Sequence, residues 1–182
     1  MLEIFWQSFY LILPAYFANM APVIFARAGW LKSLARPIDA GRKMGGQDLF
    51  GKSKTWRGLI SAVIMSLAIV DIQTILFSTQ IMRDFSVIDY SKYWWSFGIL
   101  SGLGAILGDL FKSFLKRRVG IGSGKSWPVF DQLDFIAGFF LFTFWLVHPA
   151  WNIVIMTFVM TLILHPLVNL FAYLLGIKKV PW

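Results

Sequence analysis

The sequence predicts an all-α integral membrane protein of five transmembrane helices, with the N-terminus outside and the C-terminus cytoplasmic. Three observations carry that expectation. Hydrophobic residues fill 58% of the 182 positions and charged residues only 14%, with a mean hydropathy of +0.68, too apolar for an ordinary soluble domain. The apolar residues gather in five runs, near the length of about 20 residues that a helix needs to cross a hydrocarbon core. Lys and Arg fall unevenly between those runs, which sets their orientation.

The first run, residues 2–25, has Glu3 where a cleaved leader would be basic and is too long for one, so it is read as a retained span. Asn19 lies beside Pro22 near its inner end, where a broken turn exposes backbone groups to a ligand; a bond to a neighbouring helix is the plainer alternative. The second run, 58–77, contains Asp71 far from the basic loops, read as having a structural partner or local water rather than a catalytic role. The third covers 94–114. The fourth, 135–147, is short and is extended by the turn at Asp131. The fifth, 151–176, holds His165 and Asn169 one turn apart, with Tyr173 a turn further; a membrane histidine of this kind is first a helix-to-helix hydrogen-bonding group. No period of 20 to 50 residues recurs, so residues 1–182 are one domain.

Two loops, about 27–57 and 115–131, hold most of the positive charge. The first carries Arg27, Lys32, Arg36, Arg42, Lys43, Lys52, Lys54 and Arg57; the second carries Lys116, Arg117, Arg118 and Lys125; the tail adds Lys178 and Lys179. The loop after the second span has only Arg83 and Lys92. The positive-inside rule places both basic loops in the cytoplasm. The net charge of +8 therefore reports topology and anionic partners, not nucleic acid. Nine Trp suit anchoring at the bilayer interfaces. Cysteine is absent and the two His are far apart, which leaves no disulfide framework and argues against zinc.

The chemistry concentrates in residues 107–135, where acids and bases sit between two apolar runs at a cost that requires a reason. Asp109, Lys112, Ser113 and Lys116 are spaced i, i+3, i+4 and i+7, one face of a helix. Asp131 and Asp134 repeat the i, i+3 spacing where the next run begins, after Pro128 and a loop containing Gly120, Gly122 and Gly124. Three carboxylates at two helix ends, beside lysines, suit Mg²⁺ holding a phosphate ester. The first loop contains GQDLFGKS, Gly46 to Ser53, which formally satisfies G-x4-G-K-S. That motif needs a strand before it and a helix after it within an α/β sheet, which this chain does not offer. Its glycines and the cations Lys52, Lys54 and Arg57 can still bind phosphate locally; a solvated basic loop touching anionic lipid heads is the alternative.

These pieces resemble the CDP-archaeol synthase family, archaeal relatives of the CDP-diacylglycerol synthases. The matching stretches are PAYFANMAP (Pro14 to Pro22), FGKSKTWRG (Phe50 to Gly58), GDLFKSFLKRRVGIGSG (Gly108 to Gly124), WPVFDQLDF (Trp127 to Phe135) and HPLVNLFAYLLGIKKVPW (His165 to Trp182). The resemblance implies five spans in the cell membrane, a cytoplasmic active site, and transfer of CMP from CTP to an unsaturated, geranylgeranyl-ether-linked lipid phosphate. It implies that Asp109, Asp131 and Asp134 hold Mg²⁺, with a second cation suggested by family relatives. Lys112, Lys116, Lys52, Lys54 and Arg57 would bind phosphates, with Gly46 and Pro128 in the binding loops and Asn19, Thr55, Ser113 and Gln132 assisting. A CTP-dependent polyprenol kinase, or a non-enzymatic transporter or anionic-lipid-binding protein, remain as alternatives.

Overall fold

The computed structural model describes residues 1–176, so the tail cations Lys178 and Lys179 and the end of the expected cytoplasmic tail lie outside the described residues. The described residues are mostly helical: α1 (Leu2–Ala28), α2 (Trp56–Leu76), α3 (Gln80–Phe85), α4 (Tyr90–Arg118), α5 (Phe130–Thr143) and α6 (Trp151–Leu174). Four of these, α1, α2, α4 and α6, are long and apolar enough to cross a membrane. The fourth run of the sequence behaves differently. Its helix, α5, spans 14 residues, roughly 21 Å at 1.5 Å per residue, and gives way to a turn at 144–146 and irregular chain at 147–150. It starts earlier than its apolar residues do, with Asp131 in its first turn.

Local chemistry sets the helix ends. Gly29, at φ 70°, closes α1 in the left-handed region, and the Trp30 N–H returns to the Phe25 carbonyl at 3.0 Å. Thr55 caps α2, its hydroxyl accepting from the Gly58 N–H at 3.2 Å, and Asp89 caps α4 by accepting from Ser91 and Lys92. α4 runs 29 residues, roughly 43 Å, so it outreaches the hydrocarbon core and carries its last polar turns beyond it.

Glycine decides how closely α4 is flanked. Gly98 and Gly102 lie against α2, where an added Cβ would meet the Leu67 and Val63 Cα atoms at 3.1 and 2.8 Å. Gly104, Gly108 and Gly138 bring α4 against α5: a Cβ at Gly104 would lie 2.5 Å from the Gly138 carbonyl oxygen, and one at Gly108 would overlap the Asp134 carbonyl. Small residues of this kind allow backbones to approach where lipid supplies no hydrophobic drive between helices. Tyr10, Tyr90, Phe97 and Phe139 form an aromatic chain through the centre, with successive ring centroids 5.6, 5.8 and 6.0 Å apart. Ser61, Ser66, Ser101, Thr157 and Thr161 are buried, while Ile64, Ile72, Ile155 and Ile163 are exposed, the polarity expected of helices whose outer faces meet lipid.

The first basic loop is folded, with a small β-element that the sequence did not suggest. β1 (Lys43–Met44) and β2 (Gln47–Asp48) pair antiparallel around Gly45 and Gly46, both at positive φ, the two-residue turn that glycine permits. Gly46 therefore sits in a hairpin turn, and the G-x4-G-K-S pattern has none of the strand-loop-helix geometry of a nucleotide-binding sheet.

Candidate active site

Three acids and three lysines meet where the polar end of α4 faces the start of α5. The close α4–α5 approach sets Asp109 opposite Asp131 and Asp134. The Lys112 Nζ lies 3.1 Å from Asp109 Oδ1, 3.0 Å from Asp131 Oδ1 and 2.7 Å from Asp134 Oδ2. The last contact is an ion pair without hydrogen-bond alignment, since Asp134 Oδ2 has no hydrogen-bond partner. Lys54, from the distant first loop, pairs with Asp109 Oδ2. Lys116 reaches Asp131 Oδ1 at 3.2 Å and donates to the Lys125 carbonyl. Asp109 and Lys116 are each more than 90% buried, and burial of this kind requires that the charges be paired. Among the described residues no three His, Cys, Asp or Glu side chains are arranged to hold a metal ion by themselves; the three carboxylates converge on the Lys112 ammonium.

The turn into α5 is strained. Val129 has φ 69° and ψ −54°, and the Phe130 N–H donates to the Pro128 carbonyl at 2.8 Å, a γ-turn unusual for a β-branched residue. It swings Asp131 back so that its Oδ2 accepts from the Trp127 N–H at 2.5 Å. The Trp127 N–H and the Lys112 and Lys116 ammonium groups together offset the cost of partly burying the Asp131 carboxylate.

Asp39 fixes the first loop. It is 6% exposed and accepts from the N–H groups of Gly41, Phe50 and Gly51 at 3.0, 3.1 and 3.3 Å. Burial works against its charge, and these backbone donors lower its pKa below the ordinary carboxylate value. Arg118 then ties the hairpin to α4, donating to the Met44 and Asp48 carbonyls at 2.6 and 2.7 Å. Backbone bonds from Ile38 to the Lys54 carbonyl (2.9 Å) and from Trp56 to the Arg36 carbonyl (3.1 Å) close the loop's base. Lys54 is thus delivered to Asp109 by a folded loop.

A cavity of about 640 Å³ opens on this cluster. Of the residues singled out in the sequence, Asn19, Lys54, Thr55, Asp109, Lys112, Ser113, Lys116, Pro128, Asp131, Gln132 and Asp134 line it; Gly46, Lys52 and Arg57 do not. Gly46 is in the hairpin turn, Lys52 borders a separate depression with Asp39 and Asp48, and Arg57 is in the first turn of α2. The opposite wall is apolar, with Tyr16, Met20, Val23, Ile106 and Val168. His165, read from sequence as a helix-to-helix hydrogen-bonding group, lies 3.4 Å from Asn169; both line the cavity, as does Arg117, read only as a topological charge. Their spacing along one helix face was visible; which face meets the site was not. Asp71 lies on an exposed face of α2 and takes no part. The arrangement can bind a polyanion at a polar end while an apolar chain leaves along the helices.

The chain is similar to known proteins in sequence and in structure. The family model described as CarS-like, CDP-archaeol synthase, matches residues 1–182. The CDP-archaeol synthase of Methanosarcina barkeri is 35% identical, covering 94% of this chain and all of the relative. That of Pyrococcus abyssi is 33% identical, covering 97% of this chain and 98% of the relative. A solved structure described as an intramembrane enzyme for archaeal membrane lipids biosynthesis superposes with a TM-score of 0.72 at 27% identity, over 89% of this chain and 92% of that one.

Proposed function

The chain belongs to the CDP-archaeol synthase family of CTP-dependent cytidylyltransferases, and from that premise we propose that it transfers CMP from CTP to the phosphate of 2,3-bis-O-(geranylgeranyl)-sn-glycerol 1-phosphate. The products are unsaturated CDP-archaeol and pyrophosphate. The observation that carries the proposal is the juxtaposition, in one cavity, of the Asp109–Lys112–Asp131–Asp134 cluster with an apolar wall from α1, α4 and α6.

A phosphate monoester is itself the nucleophile, so the protein need not supply one. An oxygen of the lipid phosphate attacks the α-phosphorus of CTP, the bond from that phosphorus to the bridging oxygen breaks, and pyrophosphate leaves with the electron pair. The protein's work is alignment of two polyanions and neutralisation of their charge. Lys54 and Lys116 stand beside the carboxylates at the cavity wall and can turn to phosphate oxygens. Ser113, Thr55, Asn19 and Gln132 add neutral hydrogen-bonding groups along the same cavity.

The donor set suits Mg²⁺: hard carboxylate oxygens from Asp109, Asp131 and Asp134 gather within about 3 Å of one point, the Lys112 ammonium, and Mg²⁺ commonly takes one or two carboxylates and fills its remaining positions from phosphates and water. Bound there, Mg²⁺ would offset phosphate charge and polarise the α-phosphoryl group. Lys112 would then exchange its carboxylate partners for phosphate oxygens, and a second cation would use the same acids.

The proposal places α5 as a fifth, short crossing and the site at the cytoplasmic face of the cell membrane, with the N-terminus outside. Support comes from the two basic loops meeting at one end of the bundle, where Arg118 holds the hairpin. Incubation of purified protein with CTP, Mg²⁺ and the lipid phosphate should yield CDP-lipid by mass spectrometry and one pyrophosphate per lipid converted, and a chelator should stop both. Product formed without pyrophosphate, or undiminished by the chelator, would contradict the reaction or the metal respectively.

A further inference from the structure

The turn that opens α5 exposes apolar side chains beside the most polar cluster in the protein. Val129 and Phe130 are 51% and 54% exposed, and the Phe130 ring stacks on that of Trp127 with centroids 4.2 Å apart. Between these two rings lies the γ-turn at Val129, φ 69°, a conformation that a β-branched residue keeps only where its surroundings enforce it. The base of the turn is tied to Asp131: its Oδ2 accepts from the Trp127 N–H, and its own N–H donates to the Trp127 carbonyl at 2.9 Å. The side chains at the tip face outward.

Phe130 also begins the outward stripe of α5. Phe130, Ala137, Leu141 and Phe144 are spaced i, i+7, i+11 and i+14, one face of a helix, and all four are exposed, whereas Phe135, Ile136, Phe139 and Phe140 are buried. The helix by itself, roughly 21 Å long, falls short of a hydrocarbon core of about 30 Å. A span with that shortfall draws its flanking residues into the bilayer boundary or thins the bilayer around it. Its flanks suit that place, with Trp127 and Phe130 at one end and the exposed Trp145 just past the other.

We infer that the turn from Trp127 to Phe130 is an anchor in the bilayer interface, with the Val129 and Phe130 side chains set among the headgroup ends of the lipid chains. The partner is the lipid surface, because the exposed tip is continuous with the lipid-facing stripe of its own helix. Immersion holds the γ-turn closed, and the Trp127 N–H passes that constraint to Asp131, which it keeps against Lys112 and Lys116. Phe130 is thereby a positioning residue for the cluster. The inference rests on α5 as a short crossing, and its effect on turnover rests on the CMP-transfer reading above.

The chain has no cysteine, so Ser123→Cys, Val129→Cys and Leu141→Cys can each carry one environment-sensitive fluorophore on full-length protein in phosphatidylcholine vesicles. The probe at Val129 should be quenched by nitroxides near the headgroup end of the lipid chains, the probe at Leu141 by nitroxides deeper in the chains, and the probe at Ser123 by neither. Quenching at Leu141 without quenching at Val129 would overturn the anchor and leave α5 in the bilayer. Quenching at neither would remove α5 from the bilayer, and the anchor with it. In the same vesicles Phe130→Ser should slow CMP transfer about tenfold or more, the effect of a displacement of less than 1 Å at the site. Phe130→Leu, which restores an apolar side chain without the ring stack, should recover most of that loss, and Phe144→Ser, at the far end of the stripe, should stay near wild type. Wild-type turnover in Phe130→Ser, or an equal loss in Phe144→Ser, would overturn the positioning role. Wild-type protein that transfers no CMP would sink the reaction, and the quenching at Val129 would still decide the anchor, as it would if Phe130→Ser failed to fold.

Discussion

Lys112 places one ammonium group within 3.1 Å of three carboxylates, so the acids share one charge, which Lys54 supplements at Asp109 and Lys116 at Asp131. Asp109→Asn, Asp131→Asn and Asp134→Asn keep the shape of the side chain and remove that charge. Each should slow CMP transfer by about 150-fold or more, the effect of losing about 3 kcal/mol of transition-state stabilisation, and the double variants should lose little beyond the singles because the acids act as one unit. Near-normal turnover in any two of them would refute the cluster. Asp39 tests the loop instead. Its folded-state pKa lies below the unfolded value, burial being outweighed by three backbone donors, so the stabilisation it gives is present above about pH 4 and is lost as pH falls through the folded value. Limited proteolysis within 40–53 should therefore accelerate on acidification below that point, and should already be rapid at neutral pH in Asp39→Ala. An alanine variant cleaved no faster than wild type would show that the loop is held by other contacts.

Among the elements, α4 carries two glycine faces with different duties. Gly108 and Gly138 set the α4–α5 separation that brings Asp109 to Asp134, whereas Gly98 packs against Leu67 of α2. Gly108→Ala must push α5 away from the Asp134 carbonyl. A displacement of about 1 Å at the site corresponds to a loss of about 100-fold in turnover, in protein that still inserts and melts cooperatively. Gly98→Ala should instead lower the melting temperature with a smaller loss of turnover. Equal effects of the two on activity would mean that the glycines serve packing alone. The i, i+3, i+4 spacing made the acidic and basic face of α4 legible, because ionised groups beside long apolar runs are too costly to be incidental. The pairing of Lys54 with Asp109 was not legible: 55 residues separate them, and no local pattern encodes a contact made through a folded hairpin. Arg117 and Arg118 look alike in sequence, yet one ties down the hairpin and the other faces the cavity; a rotation of one residue on the helix decides between them.

The molecule as a whole is a bundle with its polar chemistry at one end and lipid-facing Ile, Leu and Phe around its sides. Hydropathy revealed the four long helices because period and length agree. It overstated the fourth run, where aromatic residues continue past the end of α5 into a turn and Pro149. The Gly45–Gly46 hairpin was hidden by its polar strands, which bury nothing and so show no alternation. The claim on which all of this converges is that the cavity joins CMP, and no other part of CTP, to a lipid phosphate. The most direct test supplies purified protein, Mg²⁺ and the lipid phosphate with CTP carrying ³²P at either the α or the γ position and follows the label into the lipid fraction. The arrangement of acids and lysines predicts α-label in the lipid and γ-label only in released pyrophosphate; γ-label in the lipid would make the protein a kinase, and absence of either label from the lipid would contradict transfer altogether.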